Sequence, residues 1–331
     1  MSLSEFSLID RIAARTRAQA DIALGIGDDA ALLQPAPGHW LAVTADTLNS
    51  GVHFPEETPP ADIGWKTLAV NLSDLAAMGA TPAWGTLALS LPQADDAWVE
   101  TFADGFFALA DAHAWRLVGG DTTRGPLSLS VTAFGQVPTG QALRRDAAQL
   151  GDDIWISGMP GEAAGGLRLW QAGRLDVTRS ADDADHELLR QRLLRPVPRV
   201  ALGLSLRGIA HAAVDVSDGL LADLGHIARR SGVAAHVSVA AMPLSPALRS
   251  VFGEDAARDC ALRGGDDYEL CFTAPASRRD ALERISVELD LPLTRIGHIV
   301  QGAGVQCTDA QSEAANADGA PRRGGYEHFA G

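Results

Sequence analysis

Residues 63–92, IGWKTLAVNLSDLAAMGATPAWGTLALSLP, join a predicted helix to a predicted strand. Leu68, Leu72 and Leu75 recur at the spacing of one helix face, and Gly79 is typical of the residue just past a helix end. The apolar run that follows, WGTLALSLP, indicates a strand. Strand and helix patterns alternate on both sides of this stretch, so we expect an α/β (α+β) fold.

The chain is long enough for two domains, since it has 331 residues of which 46% are hydrophobic. A polar stretch precedes Gly151, where the strand-like GDDIWISG begins. We therefore predict an N-terminal domain over residues 1–150 and a C-terminal α/β domain over residues 151–331. A short echo, AVNLSD at 69–74 and AVDVSD at 213–218, leaves open whether the halves are related or six residues coincide.

Composition excludes several classes of function. A formal net charge of -15 argues against a nucleic-acid partner, which surplus Lys and Arg would grip. The three cysteines lack paired ligand spacing and indicate neither a disulfide framework nor a zinc site. No run of about 18 apolar residues occurs, and the N-terminal segment carries charges within its apolar stretch. We expect a cytoplasmic protein with no membrane partner.

The only lysine of the chain, Lys66, also bears on nucleotide binding. A P-loop needs Gly-Lys-Ser/Thr, whereas Lys66 follows Trp65. Any nucleotide must therefore be held in another way.

Aspartates mark the ends of Gly-rich or strand-like segments. They are Asp29, Asp46, Asp74, Asp121, Asp215 and Asp218. Such a set is typical of an oxygen cage for hard divalent cations, and so of a site that handles phosphates. Two carboxylates about 4 Å apart repel by roughly 4 kcal/mol at an effective dielectric near 20, so several converge only around cations. Each alone is also compatible with a capped turn, a helix N-cap or a solvated acid.

Other segments have two interpretations each. GGDTTRG, residues 119–125, suits a phosphate loop with metal contacts, but equally a tight hairpin turn. Arg124, Arg144 and Arg145 are candidates to clamp phosphate oxygens, or surface residues. His53 is either a substrate contact or a structural residue.

The order of these motifs resembles the thiamine-monophosphate kinase family over nearly the whole chain. The matching segments are GIGDDAA, DTLNSGVHFP, KTLAVNLSDLAAMGA, GGDTTRGPLS, DVSDGL, DLGHI, GGDDYELCF and GYEHF. The resemblance implies the two-domain fold of the superfamily of aminoimidazole ribonucleotide synthetase and selenophosphate synthetase. It also implies a homodimer formed through the N-terminal β-sheet, with ATP bound without a P-loop.

The same resemblance implies a reaction, the last step of thiamine diphosphate biosynthesis. The γ-phosphoryl group of ATP would pass directly and in line to thiamine monophosphate, assisted by several Mg²⁺ ions. A phosphate acceptor is already anionic at neutral pH, so it needs charge cancellation more than a general base. We therefore assign no catalytic general base.

Roles of single residues are also carried over from the resemblance. Expected metal ligands are Asp29, Thr44, Asp46, Asp74, Asp121, Asp215 and Asp218, with Ala45 able to contribute only its backbone. Expected nucleotide contacts are Gly120, Asp121, Arg145 and Ser217. Expected substrate contacts are His53, Asp266 and Tyr326, where Asp266 replaces the longer Glu usual in the family.

Two rival interpretations stay open. One is another ATP-using enzyme of the superfamily, such as selenophosphate synthetase. That enzyme carries a reactive Cys or selenocysteine near its N-terminus, whereas the first cysteine here is Cys260. The other is a non-catalytic cation-binding module that keeps the acids without turnover.

Overall fold

A computed structural model describes residues 5–17 and 19–308 of the chain. The described residues form two compact units. The first contains residues up to Leu75, Ala80–Gly140 and Val177–Arg179. The second contains Ala76–Gly79, Gln141–Asp176 and the residues from Ser180 onward. The domain boundary expected between residues 150 and 151 stays a prediction.

The first unit is built on a four-stranded sheet. Its elements are α1 (Glu5–Ala13), β1 (Ile22–Leu24), β2 (Leu32–Leu33), β3 (His39–Asn49), α2 (Pro60–Ala77), β4 (Thr81–Leu91), α3 (Asp96–Ala112), β5 (Arg116–Arg124) and β6 (Ser128–Pro138). The strand order is β3-β6-β4-β5, in which only β4 and β5 run parallel. Strands β1 and β2 form a separate antiparallel pair.

Side-chain alternation explains how this sheet acquires a buried face. Along β6 every second residue is buried, including Leu129, Val131 and Ala133. Aromatic side chains of α3 extend the core, because Phe106 packs on Phe102 and edge-on against Trp115. Helix α2, expected over residues 63–78, covers Pro60–Ala77.

The second unit contains a six-stranded sheet with helices around it. Its elements are β7 (Asp152–Ser157), α4 (Glu162–Gln171), α5 (Ala184–Leu194), α6 (Val200–Ser205), β8 (Ala212–Asp215), α7 (Leu220–Ser231), β9 (Ala234–Ser238), α8 (Pro246–Phe252), α9 (Glu254–Arg263), β10 (Leu270–Pro275), α10 (Arg279–Glu288), β11 (Leu293–Val300) and β12 (Gly304–Thr308). The order is β12-β9-β11-β7-β10-β8, antiparallel except between β12 and β9. Its core joins Ile154, Val214 and Leu224.

The α/β expectation is confirmed, with two local differences. GGDTTRG is not a loop or a hairpin turn, because residues up to Arg124 belong to β5 and pair with β4. Its phosphate and metal contacts stay predictions. The two echoed hexapeptides occupy different structures: residues 69–74 are helical, whereas residues 213–218 leave a strand and enter a turn. They therefore do not mark equivalent elements. Among the described residues, no helix is long and apolar enough to cross a membrane.

Candidate active site

Strand β3 and helix α2 bring two of the expected metal ligands together. Thr44 Oγ1 donates a hydrogen bond to Asp74 Oδ2. Two residues along the strand, the Asp46 N–H donates to Asn71 Oδ1 at 3.1 Å. Thr44 and Asp46 share one face of β3, and the exposed Ala45 side chain lies on the other. Ala45 can therefore reach the α2 side only through its backbone.

This group of side chains suits Mg²⁺ by its chemistry. The side-chain atoms it presents are hydroxyl, carboxylate and carboxamide oxygens, the hard ligands that Mg²⁺ prefers. Within residues 5–17 and 19–308, no three His, Cys, Asp or Glu side chains meet closely enough to hold one metal ion. The individual aspartate assignments, and the convergence expected of them, stay predictions.

A small cleft adjoins two of the Gly-rich segments predicted from the sequence. Its volume is about 70 Å³, and its lining includes Ile26 of GIGDDAA together with Gly120 and Asp121 of GGDTTRG. Apolar side chains of α1 and β4, among them Ile12 and Leu87, complete it. The cleft thus offers apolar surface beside an exposed carboxylate.

Gly120 is required by the backbone at this point. Its φ is 157°, and a Cβ there would lie 1.9 Å from Leu87 O on the paired strand β4. Asp121 follows it and is exposed. Asp29, in the turn between β1 and β2, is also exposed, and its N–H donates to Asp28 Oδ1 at 2.9 Å.

His53 belongs to a tight turn that follows β3. Its Nδ1 accepts the Asn49 N–H at 3.0 Å, and its carbonyl oxygen accepts a hydrogen bond from Lys66 Nζ at 3.1 Å. Lys66 is 2% exposed. The only lysine of the chain therefore lies beneath the turn that carries an expected substrate contact, a role that the sequence did not indicate.

In the second unit, backbone hydrogen bonds join the segment DVSDGL to the segment GGDDYELCF. The Asp266 N–H donates to Ser217 O and the Tyr268 N–H donates to Val216 O, both at 2.9 Å. Asp266 and Tyr268 have φ values of 66° and 53°, a conformation uncommon outside glycine. The Tyr268 hydroxyl donates to Asp266 Oδ1 at 3.1 Å. Asp215, 4% exposed, ends the neighbouring strand β8.

Asp223 holds the turn that precedes α7. Its Oδ2 accepts the N–H groups of Ser217, Asp218 and Gly219 at 3.0, 3.1 and 3.1 Å. Burial first, and the charge of Asp218 second, raise the pKa of Asp223 to about 7. The charge of Arg145 acts on the same carboxylate in the opposite direction. Arg145, an expected nucleotide contact, therefore interacts electrostatically with the carboxylate that holds the turn containing Ser217.

Sequence reasoning found some residues of these groups and missed others. Neither Asn71 nor Asp223 was assigned a role from the sequence, although both lie in segments that match the family, KTLAVNLSDLAAMGA and DLGHI. Arg144 is paired with Asp146, with Nε 2.7 Å from Oδ1. Tyr326 lies outside the described residues.

Known proteins resemble this chain along its whole length. Residues 27–137 match the family model of the AIR synthase related protein, N-terminal domain, and residues 149–310 match that of the C-terminal domain. The curated thiamine-monophosphate kinase of Salmonella typhimurium strain LT2 is 47% identical over 336 residues, which cover 100% of this chain and 99% of that protein.

Solved structures agree with this assignment. The crystal structure of thiamine-monophosphate kinase from Stenotrophomonas maltophilia K279a is 71% identical, with a TM-score of 0.88, covering 93% of this chain and 97% of that one. The structure of AaThiL complexed with AMPPCP and TMP is 30% identical, with a TM-score of 0.76, covering 99% of each chain. The chain therefore belongs to the thiamine-monophosphate kinases, within the family of AIR synthase related proteins.

Proposed function

We propose that this protein transfers the γ-phosphoryl group of ATP to thiamine monophosphate, giving thiamine diphosphate and ADP. The observation that carries the proposal is the 47% identity with the curated kinase of Salmonella typhimurium, which spans the whole chain. The related AaThiL structure contains AMPPCP and TMP. AMPPCP has the triphosphate framework of ATP, which supports ATP as the phosphate donor.

The arrangement of the residues supports direct transfer between two bound anions. Asp46 and Asp74 lie where β3 contacts α2, and Asp121 lies at the cleft beside Gly120. When bound, Mg²⁺ would cancel phosphate charge and align donor and acceptor oxygens. Thr44 orients the Asp74 carboxylate through its hydroxyl, and Asn71 orients the backbone at Asp46. No protein nucleophile is needed.

Substrate recognition is assigned to two further groups. His53 is fixed by Asn49 and Lys66, and the Asp266 carboxylate is fixed by the Tyr268 hydroxyl. Ser217 and Arg145 are assigned to the nucleotide. The family resemblance supports each assignment, together with the local contacts described above.

The experiment is a product assay with purified protein, ATP, Mg²⁺ and thiamine monophosphate. We expect equal amounts of thiamine diphosphate and ADP, and no turnover when Mg²⁺ is chelated. ADP release without thiamine diphosphate would favour another ATP-using member of the superfamily. No ADP release at all would favour a non-catalytic module. A phosphorylated enzyme trapped during turnover would contradict direct transfer.

We also propose that the protein acts as a homodimer in the cytoplasm, where ATP is abundant. The support for a dimer is strand β3, which forms one edge of the four-stranded sheet and exposes Trp40, Leu41 and Val43. Uncovered apolar residues on an edge strand favour association with a second copy.

A further inference from the structure

The turn before α7 contains an anion-binding arrangement that the protein fills with its own side chain. Three consecutive N–H groups, those of residues 217–219, point to one oxygen of Asp223 at 3.0 to 3.1 Å. Successive N–H groups that converge in this way, just before a helix, are a common binding arrangement for phosphate oxygens. Here that position is occupied.

The surroundings make this contact hard to replace. Asp223 is 3% exposed, and it lies on α7 between Leu220 and Leu224, which belong to the apolar core of the second unit. Removing the negative charge of Asp223 would weaken the hydrogen bonds of three backbone donors at once. Gly219 also fits tightly, since a Cβ there would lie 2.6 Å from Arg263 O.

The other side of the turn is fixed as well. Val216 and Ser217 accept hydrogen bonds from the N–H groups of Tyr268 and Asp266, and the Val216 N–H donates to Glu269 O at 2.8 Å. With both sides held, the half-buried Ser217 and Asp218 project from a backbone of defined position. Asp223 Oδ2 is the acceptor that these three N–H groups share.

We infer that Asp223 is a positioning residue: it fixes the turn that presents Ser217 and Asp218, and it keeps the N–H groups of that turn from binding nucleotide phosphate. The inference rests on the proposed roles of Ser217 in nucleotide binding and of Asp218 in Mg²⁺ binding. It follows that Ser217 meets the nucleotide with its hydroxyl group and not with its N–H.

The first test compares Asp223→Asn with Asp183→Asn. Asp183 is the matched control, because its carboxylate accepts the His186 N–H at the start of α5. For Asp223→Asn we expect KM for ATP and the Mg²⁺ concentration at half-maximal rate to rise about tenfold or more, with KM for thiamine monophosphate changed less than about threefold. Asp183→Asn should leave all three unchanged. Equal small effects from both variants, or an equal rise in both KM values, would overturn the inference.

A double variant separates this inference from the proposed function. If Asp223 acts through Ser217, Asp223→Asn combined with Ser217→Ala should raise KM for ATP no further than the more damaging single change. Multiplied effects would overturn the inference. If Ser217→Ala alone leaves KM for ATP unchanged, the proposed nucleotide contact fails, and amide exchange then decides on Asp223.

Amide hydrogen exchange of the unmodified protein needs no variant to fold. We expect the N–H groups of residues 217–219 to be protected without nucleotide, and to gain no protection when ADP and Mg²⁺ are added. N–H groups that exchange freely in the absence of nucleotide, and become protected when it binds, would overturn the inference.

Discussion

At the scale of single residues, Asp74 has the most direct test. Its carboxylate accepts the Thr44 hydroxyl, which links α2 to the strand that carries Asp46. Asp74→Asn preserves the size of the side chain but removes the charge that a cation requires. We expect kcat to fall by at least about 100-fold, equivalent to about 2.7 kcal/mol, with an unchanged thermal midpoint.

The control for Asp74 is Asp104→Asn, which changes an exposed carboxylate on α3 paired with Arg15. Steady-state rates at saturating ATP and thiamine monophosphate should be unaffected by it. Near-normal turnover of Asp74→Asn would remove Asp74 from the expected metal ligands.

Lys66 gives a second prediction at this scale. Its buried ammonium group donates to the His53 carbonyl oxygen, so Lys66→Met keeps the chain length of the side chain but removes the donor. We expect KM for thiamine monophosphate to rise about tenfold and KM for ATP to change much less, because the turn that carries His53 loses this anchor. A normal KM for thiamine monophosphate in a folded variant would separate Lys66 from substrate binding.

These residues show which parts of a site a sequence can reveal. Thr44 and Asp74 were expected to be metal ligands from the family resemblance, and the structure joins them by a hydrogen bond. Their role as metal ligands stays a prediction. Lys66 and Asp223 act through backbone atoms, which no side-chain pattern records. Lys66 contacts a turn 13 residues earlier, and Asp223 contacts the N–H groups of the turn just before its own helix, so both contacts depend on how the backbone folds there.

At the scale of secondary structure, helices and long strands were predictable, whereas the end of β5 was not. GGDTTR has few of the residues that favour strands, yet Asp121 to Arg124 pair in register with β4. Pairing with a neighbour outweighs intrinsic preference in such cases. The sequence indicated a loop at Gly120, but glycine is needed there because Leu87 O of the paired strand approaches its Cα too closely for a side chain.

The crossing of α2 and α3 depends on glycine and can be tested. A Cβ at Gly105 would lie 1.8 Å from Ala61 O, and one at Gly64 would lie 2.1 Å from Phe102 O. We expect Gly105→Ala to lower the free energy of unfolding by about 1–3 kcal/mol, since backbone atoms must separate. Urea or thermal unfolding measures the change.

Gly225→Ala in α7 is the matched control, and we expect its effect on the free energy of unfolding to have the opposite sign. A Cβ there would have Val305 Cγ2 as its nearest neighbour, at 3.9 Å. The free energy of unfolding of this variant should rise by about 0.5–1 kcal/mol, because alanine is the better helix former. A Gly105→Ala protein as stable as Gly225→Ala would contradict the close crossing.

We expect the stability of the protein to depend on pH through Glu187 of helix α5. Hydrogen bonds from Arg190 come first among the causes that lower the pKa of Glu187 to about 2, against the opposing effect of burial. Gln191 and the Ala181 N–H donate to the same carboxylate at 2.7 and 2.8 Å. A lowered folded-state pKa means that the ionised form stabilises the fold. This contribution is complete above the ordinary pKa of about 4.5 and is lost as the pH falls towards 2.

Glu187→Gln should therefore lower the free energy of unfolding by on the order of 2 kcal/mol at pH 7. Below about pH 4.5, the difference in this free energy between the variant and the parent protein should shrink. Unfolding curves at a series of pH values measure it, with Glu283→Gln on an exposed position of α10 as the control. A difference that stays constant down to pH 3 would show that the ion pair does not set the stability of α5.

At the scale of the whole molecule, the assembly is the property least accessible to sequence patterns. The apolar and β-branched residues of LAVTADT, residues 41–47, favour a strand, but only the sheet order makes β3 an edge strand. Leu41 and Val43 are then 45% and 57% exposed on one face of that edge. Exposed apolar edge strands pair readily with other strands, and charged residues prevent such pairing. The proposed homodimer should therefore depend on this edge.

Val43→Lys places a charge in the middle of the exposed edge. We expect the unmodified protein to sediment with twice the mass of the chain and Val43→Lys to sediment as a monomer at the same concentration. Val287→Lys provides the control, because Val287 on α10 is 82% exposed and lies far from β3 in the chain. A dimer that survives Val43→Lys would have to use another surface. If the unmodified protein sediments as a monomer, the proposed dimer is refuted. If only Val287→Lys dissociates the dimer, the interface lies in the second unit.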